Sequence, residues 1–306
     1  MIRKPLKAPS VPISDADLEH VIKTSGQVIM SPKLDGFRCL IQDSTPKTSS
    51  LKMFPNLYVN DQLSNEWYNG FDGELVVGAY DDPKAFHNST GALRRQSGEP
   101  DFTFWVFDDF TTPEFPYEDR LAILQERLNN IDSNRIKMLW YEVITCMADA
   151  EAFEKKCIDM GFEGTMVRLF GKPYKHGRAT PNEQIILKRK TFVDIDCRII
   201  GMEEGTENLN EKTINELGNS TRSSHKENKV PNGTLGAFIL MHSNWNKPFN
   251  CGGWLGGTEQ LRQEAWDNRD KLIGTWCKIK YQPHGSIDAP RLPIFLDFRP
   301  DFDLEV

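Results

Sequence analysis

The chain has 306 residues, 26% of them charged, with a formal net charge of -7 at pH 7. That length allows two domains with a core each, and no apolar run approaches the ~18 residues that a spanning helix needs, so no membrane segment is expected. The six cysteines lie far apart without a C-x-x-C pair, which argues against a zinc ribbon or a disulfide framework and suits a reducing cytosol.

In chain order, Met1-Ile2-Arg3-Lys4-Pro5 leads into no apolar signal region, so a cytoplasmic location is expected. Ser14 is the expected N-cap of a helix with Leu18, Val21 and Ile22 inward and Gly26 as its stop. Val28-Ile29-Met30 reads as a buried strand delivering Lys33 at its end, with Gly36 turning the chain into a second strand, Phe37 to Ile41. Residues 43–50 read as a loop. Phe71 to Val77 reads as a turn entering a strand, with Glu74 at its start. Residues 81–100, rich in Gly, Pro, Ser and charge, read as an exposed loop. Phe102 to Phe110 is β-prone, Pro116 opens a helix through Leu121, Leu124, Leu128 and Ile131, and Asp149 caps another that ends at Gly161. Thr165-Met166-Val167 follows as a strand.

Beyond Lys190 the texture changes to short β-like runs at 193–202, 235–242, 276–281 and 294–298, with one helical pattern at 258–272. Such a pattern suits a small barrel of the OB type. Residues 203–233, dominated by Asn, Glu, Lys, Ser and Thr, read as a long flexible loop on its rim. The division expected is 1–191 and 192–306.

The chemistry begins at Ser31-Pro32-Lys33-Leu34-Asp35-Gly36-Phe37-Arg38, an amine, a carboxylate and a guanidinium at spacing K-x-D-G-x-R. An unperturbed lysine has a pKa of about 10.4, so a nucleophilic one needs nearby cations or desolvation. Arg38, Lys188 and Lys190 are the candidate cations. Asp72-Gly73-Glu74 offers a carboxylate for ribose hydroxyls, or merely a hairpin turn. In Phe104-Trp105-Val106-Phe107-Asp108 an aromatic stands ready to stack on a purine, or simply to fill the core. Glu163-Gly164-Thr165-Met166-Val167-Arg168 sets a carboxylate before a strand, where it suits hydrated magnesium, or closes a helix. Leu187-Lys188-Arg189-Lys190 turns two ammonium groups to one strand face, which repel unless an anion such as a triphosphate lies between them. The acidic net charge sits against nucleic-acid binding, which is driven by cationic patches. Arg94-Arg95 and the 172–178 cluster with Lys172 and Lys175 are local exceptions, each equally readable as a solvated face.

The order and intervals of these motifs resemble the covalent nucleotidyltransferases, and within them the small phage- and virus-type ATP-dependent DNA ligases, over essentially the whole chain. The resemblance implies an α+β fold: a two-sheet, ATP-grasp-like adenylation domain followed by a β-barrel OB-fold domain. It implies ATP and Mg2+ (or Mn2+) as cofactors, nicked double-stranded DNA as partner and a monomeric enzyme. Lys33 would take AMP from ATP and pass it to the 5′-phosphate of a nick, which the 3′-hydroxyl then attacks. By the same matching Glu74 would hold ribose, Phe107 would stack on adenine, Glu163 with Asp35 would serve the metal, and Ser31 and Pro32 would read the adenine edge. Lys188 and Lys190 would meet phosphates, Arg38 nucleotide or nick phosphate, and Arg178 the nucleotide, although Ala179 stands where the family more often has Ser. In 290–301 both Arg291 and Arg299 match the basic residue that orients pyrophosphate. RNA ligases and GTP-using capping enzymes share the lysine motif, and a silent DNA-end-binding relative would share the scaffold. The F-R-P-D and G-R-x-T stretches favour ligase.

Overall fold

In the computed structural model, which describes residues 4–82 and 84–299, helix α1 (Asp15–Ser25) begins where the Ser14 hydroxyl accepts the Asp17 amide and ends at Gly26, φ 77°. Strand β1 (Val28–Pro32) is buried throughout. Val28 and Met30 join one apolar cluster with α1, and Ile29 joins another. Strand β2 (Phe37–Gln42) does not return along β1. It belongs to a different sheet. Gly36 is therefore no hairpin residue; a Cβ there would stand 2.3 Å from the Leu75 carbonyl oxygen, so the close approach requires it.

Residues 43–50 are not a loop. Asp43 and Ser44, both at φ 55°, turn β2 into β3 (Thr45–Thr48), which pairs back from Gln42 to Cys39. After α2 (Leu57–Leu63) comes β4 (Phe71–Val77), with Asp72-Gly73-Glu74 inside the strand rather than at a turn. Gly73 marks a register shift against β5, where a Cβ would lie 2.3 Å from the Trp105 carbonyl oxygen. The expected loop at 81–100 contains α3 (Ala85–Leu93). It buries only Ala85, Ser89 and Leu93, a stripe too narrow and too polar to read from sequence. Strand β5 (Phe102–Asp109), helix α4 (Tyr117–Asn129) and the short strands β6 (Ile136–Met138) and β7 (Glu142–Ile144) follow. In α5 (Met147–Asp159) Asp149 sits in the first turn and Cys146 precedes the helix, so the cap lies earlier than expected. Strands β8 (Gly164–Leu169) and β9 (Ile186–Lys190) complete the set.

These strands form a four-stranded sheet, β7-β1-β8-β9, and a five-stranded sheet, β3-β2-β4-β5-β6. The four residues from Lys33 to Gly36 carry the chain from one to the other. The first compact unit is Met1–Lys190; the second is Thr191–Val306.

The second unit contains β10 (Val193–Asn208), β11 (Lys212–Ile214), β12 (Ser220–Arg222), β13 (Lys229–Met241), β14 (Phe249–Cys251) and β15 (Gly253–Trp254). Helices α6 (Glu259–Asp267) and α7 (Arg269–Leu272) then lead to β16 (Trp276–Gln282) and β17 (Arg291–Arg299). Six strands form one sheet in the order β14-β13-β10-β16-β17-β15 around a core that includes Cys197, Phe238, Trp245, Ile279 and Phe295. Its two edge strands are separated in sequence only by Gly252, so both edges meet. The stretch 203–233 is not an irregular loop: β10 and β13 stay paired out to Asn208 and Lys229, with the β11–β12 hairpin beyond. Backbone hydrogen bonds hold this arm, which is why its side chains show no apolar alternation. Among the described residues no helix is long and apolar enough to cross a membrane.

Candidate active site

Lys33 lies where β1 ends, and its backbone is fixed on both sides. Its amide donates to the Gly164 carbonyl at 2.9 Å, and its own carbonyl accepts the Glu163 amide at 3.2 Å. This pairing sets the Glu163 side chain beside the Lys33 ammonium. On β9, Lys190 stands opposite Gly164 and reaches the other carboxylate oxygen. Lys33 and Lys190 thus share one carboxylate, Lys33 on Oε2 and Lys190 on Oε1, and that side chain is only 1% exposed. Burial pushes the Glu163 acid up, but the two ammonium groups outweigh it and hold the carboxyl at about 2.

Lys33 opens onto a cavity of about 270 Å³ within the first unit, lined also by Ser31, Pro32, Arg38, Glu74, Phe107, Arg178 and Lys188. Ser31 faces Met166 across the β1–β8 ladder, so the end of β1 forms one wall. Lys188, without an ion-pair partner among the described residues, is lowered by burial and then by Lys190 and Lys33. A concave site in which cations outnumber the carboxylates available to them is built for an anion. Lys7, Met166 and Arg168 line it as well. Lys7 had no sequence signal. Arg168 sits in the E-G-x-x-V-R motif two positions from Met166, and strand alternation alone would have placed both on the cavity face.

Arg38, expected as one of the activating cations, is bound to a carboxylate. Its guanidinium is bidentate on the buried Asp72, at 2.5 and 2.6 Å, and donates to the Leu6 carbonyl at 3.1 Å. Its charge is compensated by that carboxylate. It also lies over the Phe107 ring, 4.6 Å from the centroid. Beneath lies a second network: Asp108 takes Arg120 at 2.8 and 3.2 Å and Arg168 at 2.7 Å, with all three side chains at most 5% exposed. The Arg168 guanidinium in turn packs over Tyr117 at 4.3 Å and Phe107 at 5.8 Å. The aromatic floor of the cavity thus rests on paired charges.

Comparison with known proteins bears on this arrangement. The family model described as "ATP dependent DNA ligase domain" matches residues 11–190. The chain belongs to that family. A Dictyoglomus thermophilum protein described as "Probable DNA ligase" is 24% identical over 214 residues, 61% of this chain but 36% of that relative's length. The crystal structure of Chlorella virus DNA ligase-adenylate covers 98% of this chain and 100% of its own, at 25% identity and a TM-score of 0.54. A structure from the Lig E DNA ligases, 16% identical, superposes with a TM-score of 0.71 over 98% of this chain and 100% of its own, which speaks for the fold.

Within this ligase-family unit the other candidate residues are placed apart from the cavity lining. Asp35 is buried, 8% exposed, two residues past Lys33. Arg94 and Arg95 are exposed at the end of α3, Arg94 5.9 Å from the Phe37 ring. Lys175, the other candidate DNA contact of its cluster, donates to both carboxylate oxygens of Glu183, at 2.5 and 2.7 Å. Lys172 is half-buried, and its carbonyl accepts Arg120 at 3.2 Å. In the second unit Arg299 meets Asp196 at 3.3 Å, Arg291 begins β17, and Pro300 and Asp301 of the F-R-P-D stretch lie outside the described residues.

Glu74, across the β2–β4 pair from Arg38, is pushed up to about 7 by burial, against the opposing pull of Arg38 and Lys33. Its folded value lies above its unfolded one, so the native state binds the extra proton, and stability falls as pH rises from about 4.5 to about 7. Relative to wild type, Glu74→Gln should therefore gain stability between pH 5 and pH 8. Urea midpoints at both pH values would show it, and a difference that does not change with pH would refute it.

Proposed function

We propose that the chain is an ATP-dependent DNA ligase that seals nicks in duplex DNA through a lysyl-AMP intermediate on Lys33. What carries this reading is the lysine at the mouth of a cationic, aromatic-floored cavity, held by the Glu163 carboxylate that it shares with Lys190, with Lys188 in the same lining. The neutral Lys33 amine attacks the α-phosphorus of ATP. A P–N bond forms, the bond to the bridging oxygen breaks, pyrophosphate leaves and the amine loses a proton. AMP then passes to the nick 5′-phosphate, regenerating the lysine, and the 3′-hydroxyl displaces AMP to close the phosphodiester.

Phe107 supplies the apolar face for the purine and the ends of Ser31 and Pro32 its edge. Glu74 receives the ribose, and Lys188 with Arg178 meets phosphate oxygens. Arg38, locked on Asp72, presents a donor that does not have to reorganise as charge develops. Among the described residues no group of three or more His, Cys, Asp or Glu is placed to hold a metal ion. The donor set fits magnesium or manganese only as an ion taking one carboxylate, Glu163, and completing its shell with water and nucleotide phosphates. Bound there it would supply charge neutralisation for the departing pyrophosphate. Asp35 is the second carboxylate assigned to the same ion.

The Thr191–Val306 unit is read as the OB-type barrel of a ligase, supported by the meeting of β14 and β15 at the two edges of one sheet. The division at 191 and a monomeric state belong to the same proposal. Incubation with labelled ATP or GTP, followed by denaturing electrophoresis, tests the reading. A denaturation-stable AMP adduct, chased onto nicked DNA, is the expected result; an adduct from GTP alone, or none, would overturn it.

A further inference from the structure

The segment Leu6-Lys7-Ala8 belongs to none of the sequence motifs, yet it is built into the wall of the cavity. Lys7 donates its amide to Gly177 at 3.0 Å and accepts the Ala179 amide at 2.8 Å, a short parallel ladder beside Arg178. Arg38 donates to the Leu6 carbonyl at 3.1 Å and Arg178 to the Ala8 carbonyl at 2.6 Å. The Leu6 amide donates to the Tyr174 hydroxyl at 3.1 Å, and that hydroxyl donates to Asp72 at 2.7 Å. These links tie the strap to Arg38 and Arg178, which line the cavity, and to the residues beside Arg178, and Leu6 is fully buried.

The Lys7 side chain lines the cavity, and among the described residues no carboxylate pairs with it. Burial lowers its ammonium, as do the charges of Arg38 and Arg178. A half-buried lysine held beside two guanidinium groups is unfavourable unless an anion joins them. Asp72 takes Arg38 through Nε and Nη2, and Leu6 takes Nη2 as well, so neither bond uses the Nη1 donor.

We propose that Lys7 is a phosphate-binding residue of this site, receiving a phosphate monoester jointly with Arg38 and Arg178. The inference rests on the ligase reading only for the source of that phosphate, which is either the nucleotide or the 5′ end of a nicked strand.

The test uses binding alone, so it does not depend on whether the chain joins DNA. Dissociation constants are measured for wild type, Lys7→Ala and Lys7→Arg with adenosine, AMP and ATP in EDTA, and with nicked duplexes bearing a 5′-phosphate or a 5′-hydroxyl. A lost charge-assisted hydrogen bond corresponds to about a tenfold weakening. If the nucleotide is the source, Lys7→Ala weakens AMP and ATP about tenfold but leaves adenosine unchanged. If the strand end is the source, it weakens only the 5′-phosphorylated nick. In either case Lys7→Arg restores the affinity. Equal weakening of phosphorylated and unphosphorylated ligands, or no weakening, overturns the proposal. Failure of wild type to form an adduct with ATP would sink the ligase reading and leave this one standing on its own measurements.

Discussion

Lys33→Arg and Lys33→Ala are both expected to form no nucleotide adduct, while sealing an already adenylated nick within about tenfold of the wild-type rate. The arginine variant is the sharper of the two. It keeps the positive charge and can still pair with Glu163, the partner of Lys33. What it loses is the ability to shed a proton, because a guanidinium stays charged in proteins. A nucleophile needs a free electron pair, so adduct formation should fall by at least about a thousandfold, which corresponds to ~4 kcal/mol of barrier. The pre-adenylated nick bypasses that step, because its AMP is already on the DNA. Labelled ATP reports the first arm and gel-resolved sealing the second. Wild-type adduct formation by Lys33→Arg would remove Lys33 from its role; loss of both activities with a native melting curve would assign it a later step as well.

The largest effect on stability is expected from Asp108→Ala. Asp108 is fully buried and is the shared anion of Arg120 and Arg168, themselves 0% and 4% exposed. Removing it leaves two buried cations without their partner, which typically costs about 3–5 kcal/mol for one broken pair. In a unit of this size each kcal/mol lowers the melting temperature by roughly 2–4 °C, so a fall of about 6–20 °C is expected. The comparison is Lys155→Ala, which breaks a pair with Asp159 whose side chains are 75% and 59% exposed. That pair is worth ~1 kcal/mol or less. Similar melting shifts for the two variants would show that the buried network is not what holds the cavity floor. Because Arg168 packs over Phe107, weakened ATP binding by Asp108→Ala at a temperature where it remains folded is the accompanying functional result.

The charged motifs were legible for a physical reason. Strand β9 turns Lys188 and Lys190 to one face at fixed spacing, against the usual rule that like charges avoid one another, and Lys33 stands at the end of β1. The run from Phe102 to Phe110 could be read as a strand from its β-prone composition, and the helices with apolar stripes, α1 and α4, from their periodicity. Elements held by backbone pairing alone were not legible. Strand β3 and the β11–β12 arm carry polar side chains, so nothing in their composition separates them from loops. Helix α3 hides because its buried stripe includes Ser89, whose hydroxyl accepts the Val77 amide at 3.0 Å.

By itself the sequence determined the family, and it marked Lys33 as the candidate nucleophile with Arg38, Lys188 and Lys190 as candidate cations, since these depend on residue type and spacing along the chain. Only the tertiary structure decided that Lys33 stands at the crossing between two sheets, that Glu163 joins it to Lys190, and that Arg38 is spent on Asp72. It alone brought Lys7 to the cavity. Each of those facts depends on which segments, far apart in sequence, come within hydrogen-bonding distance, and a side chain's charge does not reveal the partner that the fold will give it.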